Sequence, residues 1–393
     1  MPMHKGLLPR EGFKADIIAR VLGNTALNPF FTLPILLLAK FTKKGENLSI
    51  LHHKAFSRIK LLFYLGLIRC LSSWYSRGVL NNWKSDRYEW QTREIVLVTG
   101  GSGGIGEHVA KLLSEMGIKV VVLDTQPLSF EAPSNVHYFE CDVTSKQQIA
   151  AVAEDIRSKI GHPTVLINNA GVFPGKSIIE ASEKDIRLTF DVNALAHFWM
   201  AKEFLPRMIE NNHGMIVTVA SISSWATVPN MVDYAASKHA ALAFHEGLAA
   251  ELTTRHAANK VRTVIVNQGY TRTPLFEGYT NELPFLFPTL EPETVAEAIV
   301  RQVLTGKSGQ VIAPSLASVL PALAAMPHWL QHSVRKSSAK MMTKCQGRQV
   351  VSDLGTSYDG GEEGEEKEKR EEREEKEEKE VEESTVLVAA ESK

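Results

Sequence analysis

A serine, a tyrosine and a lysine in the second half of the chain have the types and the spacing needed to move a proton. Tyr234 and Lys238 are four residues apart, so on a helix they lie on one face, one turn from each other. A phenol has an ordinary pKa of about 10 and is a poor base at neutral pH, but a neighbouring cation stabilises its phenolate. Ser221 precedes Tyr234 by thirteen residues and follows an apolar run. It can therefore approach from a loop, and one carbonyl oxygen could meet both hydroxyls.

Each of these residues taken alone also has an ordinary structural explanation. A tyrosine at the start of a helix often packs against the core, a lysine four residues later is often a surface charge, and serine is common in turns. Ser223 and Ser224 are alternatives to Ser221. Three histidines on helix-like segments form no set of metal ligands, so we expect packing or surface positions and no metal site. These are His197, His239 and His245.

A glycine-rich turn lies earlier in the chain, between a predicted strand and a predicted helix. It consists of Thr99, Gly100, Gly101, Ser102, Gly103, Gly104, Ile105 and Gly106. Glycines permit a tight turn and a close approach of the backbone to a pyrophosphate, and the amides of the following helix then face the phosphates. The spacing differs from the usual Gly-x-Gly-x-x-Gly, and a glycine pattern alone is weak. Its place between a strand and a helix is what predicts a dinucleotide site.

Asp124 ends the next predicted strand, 18 residues after Gly106. A carboxylate there can accept hydrogen bonds from both ribose hydroxyls and repel a 2′-phosphate, so NAD(H) is favoured as the cofactor. NADP(H) is the alternative, because an Arg or Lys from elsewhere could offset this preference. A solvated acid at a strand end is the other explanation of Asp124.

Short apolar runs rich in β-branched residues alternate with helix-length segments from residue 94 onward. The predicted strands are residues 95–99, 120–123, 164–167, 214–219 and 261–266, with helical apolar spacing over residues 109–116. This alternation is typical of an α/β protein. It predicts a single Rossmann-type doubly wound parallel sheet with helices on both faces.

The chain of 393 residues has 44% apolar residues, which is enough for a packed core, and it divides its charge unevenly. Residues 1–94 hold fifteen Lys and Arg against six Asp and Glu, a net charge of +9, whereas residues 361–384 hold fourteen Glu against six Lys and Arg. A basic segment interleaved with apolar runs is typical of a membrane surface. The three cysteines are far apart and form no ligand pair or disulfide framework, which favours a reducing, cytosol-facing environment.

We therefore divide the chain into four parts. Residues 1–93 are a basic, apolar membrane-associating extension, and residues 94–310 form the nucleotide-binding domain. Residues 311–346 are a helical extension. Residues 347–393 are predicted to be a charged, disordered tail, since their Glu, Lys and Arg cannot bury enough apolar surface to form a core.

Two apolar runs of the N-terminal extension carry the membrane prediction. Residues 21–39 have no charge but contain Pro29 and Pro34, so an in-plane helix, a hairpin or a broken helix competes with a full span. Residues 59–71 form the second run, and three aromatic residues suited to the headgroup region follow it. These are Trp74, Tyr75 and Trp83. The alternative is that both runs are helices packed on the nucleotide-binding domain.

Several of these motifs together resemble the short-chain dehydrogenase/reductase family. They are the turn at residues 99–106, Asp142-Val143 after a strand, Asn168-Asn169-Ala170-Gly171, and Tyr234-x-x-x-Lys238. They occur in the family's order and spacing and cover about residues 94–310. Residues 216–238 and the apolar, basic extension are most similar to membrane-associated retinol and hydroxysteroid dehydrogenases. The resemblance also implies a homodimer or a homotetramer.

The resemblance assigns a role to each matching residue. It implies that Tyr234 is the general acid/base, that Lys238 lowers its pKa, that Ser221 holds the substrate oxygen, and that Asn193 holds a water linking Lys238 to solvent. The cofactor contacts it implies are Gly100, Ser102, Gly104, Ile105, Gly106, Asp124, Asp142, Val143, Asn169, Ala170, Gly171, Tyr234, Lys238 and Thr273. One departure is Gln268, where the family usually has proline, so we expect a looser turn before Thr273.

Residues 274–290 occupy the place of the family's variable substrate lid. Their large apolar residues are Leu275, Phe276, Tyr279, Leu283, Phe285, Leu286 and Phe287. An apolar lid favours a lipophilic substrate, but it does not identify one. Residues 316–330 are predicted either to dock on a membrane or to cover the core.

The function predicted from the sequence is reversible hydride transfer between NAD(P) and the alcohol or carbonyl of a retinoid, steroid or fatty alcohol. The expected place is the cytosolic face of the endoplasmic reticulum or a lipid droplet, and no nucleic acid partner is expected. The alternative is a membrane or lipid-droplet scaffold of low turnover that retains the dinucleotide-binding fold.

Overall fold

A computed structural model describes residues 3, 4, 6 and 8–344 of the chain. Cys345 and the predicted charged tail lie outside these residues. Seven strands form one sheet: β1 (Ile95–Thr99), β2 (Lys119–Asp124), β3 (Val136–Glu140), β4 (Val165–Asn168), β5 (Gly214–Val219), β6 (Val261–Gln268) and β7 (Gly309–Ala313). All neighbouring strands are parallel, in the order β3-β2-β1-β4-β5-β6-β7. The strand order reverses between β1 and β4, which is where open α/β sheets bind ligands at the carboxyl ends of their strands.

The described helices precede, connect and follow these strands. In chain order they are α1 (Ala15–Asn24), α2 (Pro29–Phe41), α3 (Lys43–Leu51), α4 (His53–Leu80), α5 (Gly104–Glu115), α6 (Lys146–Lys159), α7 (Glu183–Phe190), α8 (Ala196–Glu210), α9 (Val232–Thr254), α10 (Pro292–Leu304) and α11 (His328–Ser337). A π-helical turn, Asp191–Leu195, joins α7 to α8, and a 3₁₀ segment, Ser315–Ala325, precedes α11.

Helices cover both faces of the sheet because alternate strand residues point to opposite sides. Val96 and Val98 of β1 pack in a cluster with α5 and α10. Leu97 of the same strand packs in a second cluster with α6, α8 and α9. The single doubly wound parallel sheet predicted from the sequence is thus confirmed. The strand pattern missed β3 and β7, the two short edge strands, which are only partly buried; β7 also begins with Gly309 and Gln310.

The N-terminal extension is helical and leaves much apolar surface exposed. No described helix is by itself long and apolar enough to cross a membrane. Helices α1 and α2, which are bent by 45° at the break between them, together have the length and apolar composition of a span. Three phenylalanines of α2 are largely exposed, namely Phe30 at 81%, Phe31 at 62% and Phe41 at 74%. The long helix α4 contains the second apolar run and exposes Trp74 and Tyr75.

The end of this extension is fixed to the sheet on the side away from the crevice. The Arg262 side chain is 1% exposed and donates to the carbonyls of Asn81 at 3.1 Å and Lys84 at 2.7 Å. The Asn81 amide oxygen accepts from the Ser308 N–H at 2.9 Å. Because Arg262 and Ser308 lie at the amino ends of β6 and β7, the carboxyl ends of the strands remain free for a ligand.

Candidate active site

Ser221 and Tyr234 meet at the carboxyl end of β5. Ser221 follows β5 directly in the chain after Ala220, and Tyr234 is the third residue of α9. The Ser221 side chain is close enough to Tyr234 to lower the pKa of the phenol. The Ser221 hydroxyl also donates to the Gln268 carbonyl and accepts from the Ser223 N–H, each at 3.2 Å. These contacts hold Ser221 beside Tyr234. The hydroxyl of Ser224, one of the two alternatives to Ser221, donates to the Ser221 carbonyl.

Lys238 is buried beside Tyr234, as expected for residues one helical turn apart. Its Nζ donates to the Val219 carbonyl at 2.9 Å and lies 5.7 Å from the centre of the Tyr234 ring. Burial lowers the pKa of Lys238 to about 8. Burial also raises the pKa of Tyr234, and the Ser221 side chain only partly offsets this effect. Desolvation of the phenol thus outweighs the effect of Ser221, and the lowering of the tyrosine pKa by Lys238 stays a prediction.

Asn193 lies behind the site and does not line the cavity. It belongs to the π-helical turn, a feature often found at functional sites. Its side-chain oxygen accepts from the Val172 N–H at 2.8 Å, and its amide group donates to the Val172 carbonyl at 2.9 Å and the Ser237 hydroxyl at 3.1 Å. A Cβ added at Gly171 would lie 3.4 Å from the Asn193 oxygen and 3.5 Å from Lys238 Nζ. Asn193 is therefore placed next to Lys238, and its part in a proton relay stays a prediction.

The glycine turn is packed too tightly for side chains at two of its positions. Gly100 has φ of +65°, which favours glycine, and an added Cβ would lie 2.8 Å from Ala170 Cα. A Cβ at Gly106 would lie 2.1 Å from the Gly100 carbonyl oxygen. The Asn169 amide group donates to the carbonyls of Thr99 and Gly100 at 3.0 Å. The Asn-Asn-Ala-Gly segment therefore positions the turn from the neighbouring strand.

Asp124 lies at the end of β2, against the same turn. Its carboxylate accepts from the backbone N–H groups of Ser102 at 2.9 Å and Gln126 at 3.1 Å. Burial raises the pKa of Asp124, and the backbone hydrogen bonds oppose that rise. The carboxylate lines the cavity beside the turn, which is the position needed to contact a ribose. With the glycine backbone next to it, this donor and acceptor set fits a dinucleotide.

One large cavity of about 1250 Å³ brings together most of the residues predicted to act. Its lining includes Gly100, Ser102, Gly104, Ile105, Asp124, Val143, Asn169, Ala170, Gly171, Ser221, Tyr234, Lys238 and Thr273. Gly106 and Asp142 do not line it. Gly106 packs against Gly100, and the Asp142 side chain accepts from the N–H and hydroxyl of Thr144.

The far half of the cavity is apolar. Of the predicted lid residues, Leu275, Phe276, Tyr279, Leu283 and Phe287 line it. Phe285 and Leu286 are instead 45% and 39% exposed. The 3₁₀ segment Ser315–Ala325, for which the sequence left two explanations open, contributes Val319, Leu320, Ala322 and Leu323 to the wall, whereas the following Trp329 is 70% exposed.

Sequence reasoning missed several residues of this half. Phe173 packs edge-on against Tyr234 with ring centres 5.4 Å apart, and Phe276 does the same at 5.5 Å. Phe173 follows the Asn-Asn-Ala-Gly segment by two residues, and this closeness to the motif was the available signal. Met341 and Met342 also line the cavity. They are far from every motif in the sequence, so no local pattern indicated them.

The turn before Thr273 is held in place despite Gln268. The Gly269 N–H donates to the Ala313 carbonyl of β7 at 2.6 Å, and the Thr271 hydroxyl donates to the Gly269 carbonyl at 3.1 Å. The edge strand that the sequence did not indicate therefore supports the loop next to the cofactor half of the cavity.

Comparison with known proteins shows the family to which this fold belongs. The family model of the short chain dehydrogenases matches residues 94–283. The dehydrogenase RED2 of Cochliobolus heterostrophus is 46% identical over 202 residues, which cover 51% of this chain and 76% of that one. The chain belongs to the short-chain dehydrogenase/reductase family. It is thus an NAD(P)-dependent oxidoreductase that acts on an alcohol or a carbonyl.

Other members of the family are also similar to this chain. Human epidermal retinol dehydrogenase 2 is 36% identical over 223 residues, covering 54% of this chain and 72% of that one. A crystal structure of a short-chain dehydrogenase from Burkholderia cenocepacia, in complex with NADP, has a TM-score of 0.53 at 27% identity and covers 61% of this chain and 96% of its own. The family model covers most of the nucleotide-binding fold, and these similarities leave the preference between NAD and NADP open.

Proposed function

We propose that the protein transfers a hydride between NAD(H) and the hydroxyl or carbonyl carbon of a lipophilic substrate at a membrane surface. The observation that carries the substrate class is the continuous cavity, in which the paired hydroxyls of Ser221 and Tyr234 open onto a wall of aliphatic and aromatic residues. Apolar burial at about 25 cal/mol per Å² lets such a wall bind a hydrocarbon without specific polar contacts. A retinoid, steroid or fatty alcohol has the chemistry that this cavity fits.

The residues of the chain supply the binding and the proton transfer. The substrate oxygen would accept hydrogen bonds from the hydroxyls of Ser221 and Tyr234, which both line the cavity. Tyr234 would give its hydroxyl proton to the oxygen in reduction and take it back in oxidation. Lys238, with its charge beside the ring, would favour the phenolate. The bound nicotinamide supplies or accepts the hydride.

The preference for NAD(H) is proposed from Asp124. Its carboxylate faces the cavity beside the glycine turn and is fixed by two backbone N–H groups, so it cannot easily turn away from a 2′-phosphate. A negative charge in this position accepts hydrogen bonds from a ribose and repels a phosphate. This charge therefore favours NAD(H) over NADP(H).

Association with a membrane is proposed from the N-terminal extension. Its net charge of +9 over residues 1–94 accompanies exposed phenylalanines on α2, and this combination fits anionic headgroups above an apolar layer. The cytosolic surface of the endoplasmic reticulum or of a lipid droplet would present both. The same surface would also concentrate a lipophilic substrate.

A steady-state assay tests the proposed function. Turnover of a long-chain alcohol, a steroid alcohol and a short water-soluble alcohol is followed with NAD and with NADP, in the full chain and in the Asp124→Ala variant. We expect the lipophilic alcohols to have the higher kcat/KM, NAD to be preferred, and Asp124→Ala to reduce that preference about tenfold or more. A wild-type preference for NADP or for the short alcohol would contradict the proposal. No turnover with any alcohol, despite cofactor binding, would favour the scaffold.

A further inference from the structure

A segment near the start of the chain contacts two elements that are distant in sequence. We call residues 8–17 the N-terminal strap. Arg10 donates to the Glu297 carboxylate of α10 at 2.6 Å, and the Glu11 carboxylate accepts from the Glu291 N–H, at the start of α10, at 3.0 Å. The N-cap residue of helix α10 is Glu291, so the Glu11 contact is made at the residue where this helix begins. These contacts attach the strap to the side of the nucleotide-binding fold.

The end of the strap joins the two walls of the apolar half of the cavity. The Asp16 carboxylate accepts from the N–H groups of Ser315 at 2.7 Å and Leu316 at 2.9 Å. The neighbouring Ala15 N–H donates to the Phe285 carbonyl at 3.1 Å. Consecutive residues at the first turn of α1 therefore bond to the 3₁₀ segment on one side and to the lid on the other.

Asp16 provides a capping carboxylate for the 3₁₀ segment Ser315–Ala325. The first N–H groups of a helical segment have no partner inside it, and they favour a negative charge. The residue in the capping position is Pro314, and no side chain of the segment caps it. A carboxylate 299 residues away in the chain fills this role with both of its oxygens. The segment that Asp16 caps carries Val319, Leu320 and Leu323 into the cavity.

The contacts on the other wall are close to the cavity as well. Phe285, whose carbonyl accepts from α1, lies between Leu283 and Phe287, which both line the cavity. The Phe13 ring packs against the Phe285 ring with centres 6.4 Å apart. The spacing between the two walls therefore depends on the first turn of α1.

We propose that the N-terminal strap sets the width of the apolar half of the cavity, and that Asp16 is the positioning residue that does so. Asp16 does not line the cavity. It acts through the 3₁₀ segment, by holding that segment against the lid. This inference deepens the proposed function and rests on it for the nature of the ligand. It also predicts that the binding of long substrates depends on Asp16, whereas the binding of the cofactor does not.

The test is equilibrium binding to the full chain in detergent solution. The probes are a fluorescent conjugated long-chain alcohol and, separately, NAD, and the variants are Asp16→Ala and Asp16→Asn. Loss of a capping side chain typically weakens a segment enough for about a three- to tenfold effect. We expect Asp16→Ala to raise the Kd of the alcohol by about that factor and to leave the Kd of NAD within about twofold. Asp16→Asn, which keeps one acceptor oxygen, should give a smaller rise. Glu46→Ala is the matched control, because Glu46 is an exposed carboxylate of α3 in the same extension.

The outcomes separate this inference from the proposed function. An unchanged Kd of the alcohol in Asp16→Ala, or an equal loss of alcohol and NAD binding in both variants, would overturn it. A shift confined to the alcohol supports it whether or not the wild type turns that alcohol over. In active protein the same change should appear as a higher KM for the long alcohol with little change in kcat. Absence of turnover in the wild type would count against the proposed function alone.

Discussion

At the scale of single residues, the site is governed by burial. Tyr234 is 3% exposed and Lys238 is 2% exposed, so their charged forms are both disfavoured by desolvation. The sequence showed which residues are paired, because the spacing of four residues puts them on one helix face. It did not show the direction of the tyrosine pKa, because the burial that raises it comes partly from Phe173 and Phe276, on other elements.

Burial of Lys238 has a consequence for stability. Its pKa is lowered from an ordinary value of 10.5 to about 8, so below pH 8 the folded protein carries a buried charge that the unfolded chain would carry in water. We expect Lys238→Met to abolish turnover and to raise the free energy of unfolding at pH 7 by about 1 to 3 kcal/mol. The gain should shrink as the pH rises from about 8 toward 10.5, because the folded wild type then releases its proton before the unfolded chain does.

Chemical denaturation of both proteins at pH 7 and pH 10 measures this difference. Equal stability of the two proteins at pH 7, or a gain that grows with pH, would show that Lys238 is not a buried cation of lowered pKa.

At the scale of elements, the turn between β1 and α5 depends on contacts with the segment after β4. Gly106 faces the Gly100 carbonyl, and Asn169 bonds to the same turn from the side. The glycine pattern alone was a weak signal, whereas the structure shows why two of these positions exclude a side chain. The turn is thus a packed unit of two strand ends.

Gly106→Ala tests this packing. The added Cβ would lie 2.1 Å from the Gly100 oxygen and 2.5 Å from Asn169 Nδ2, so the turn must shift, and we expect NAD affinity to fall about tenfold or more. Gly247→Ala is the control, because Gly247 is an exposed residue of α9 with nothing within 4 Å of an added Cβ. That change should leave NAD binding unaltered and stabilise the helix by about 0.5 to 1 kcal/mol. Unchanged NAD affinity in Gly106→Ala would disprove the packing argument.

The sequence predicted the elements that a short run of residues defines. It missed the elements that contacts between distant residues define. The buried strands β1, β2 and β5 are continuous apolar runs, which a pattern of a few residues reveals. The edge strand β7 is defined by its pairing with β6. The cavity wall from residues 315–342 is likewise defined by tertiary contacts, so its residues carried no signal that could separate a membrane surface from a core cover.

At the scale of the whole molecule, the N-terminal extension is bonded at two places, the amino ends of the strands and the cavity wall. Arg262 holds the end of α4 at the amino ends of the strands, and Asp16 holds the start of α1 at the cavity wall. The exposed apolar residues of α2 lie between these attachments in the chain. If α2 contacts a membrane as proposed, these two attachments would hold the cavity close to that membrane.

Flotation with liposomes of anionic and zwitterionic lipid tests the membrane contact. The combined change Phe30→Asp, Phe31→Asp and Phe41→Asp removes exposed apolar area and adds negative charge at three largely exposed positions. We expect the bound fraction to fall about tenfold or more. We also expect raised salt to weaken the binding of the wild type to anionic liposomes. Ile179→Asp, at a residue 97% exposed on the loop after β4, is the matched change and should float like the wild type. Equal flotation of the triple variant and the wild type would refute this assignment.

The role of Tyr234 is tested by the turnover of the full chain with NAD and a long-chain alcohol, compared between the wild type and Tyr234→Phe. The substitution removes one hydroxyl and keeps the ring that packs against Phe173 and Phe276. General acid–base catalysis typically contributes about 10² to 10⁴ in rate, so we predict a loss of at least about 100-fold in kcat with the Kd of NAD unchanged. Turnover within about twofold of the wild type would contradict the central claim that Tyr234 carries the proton.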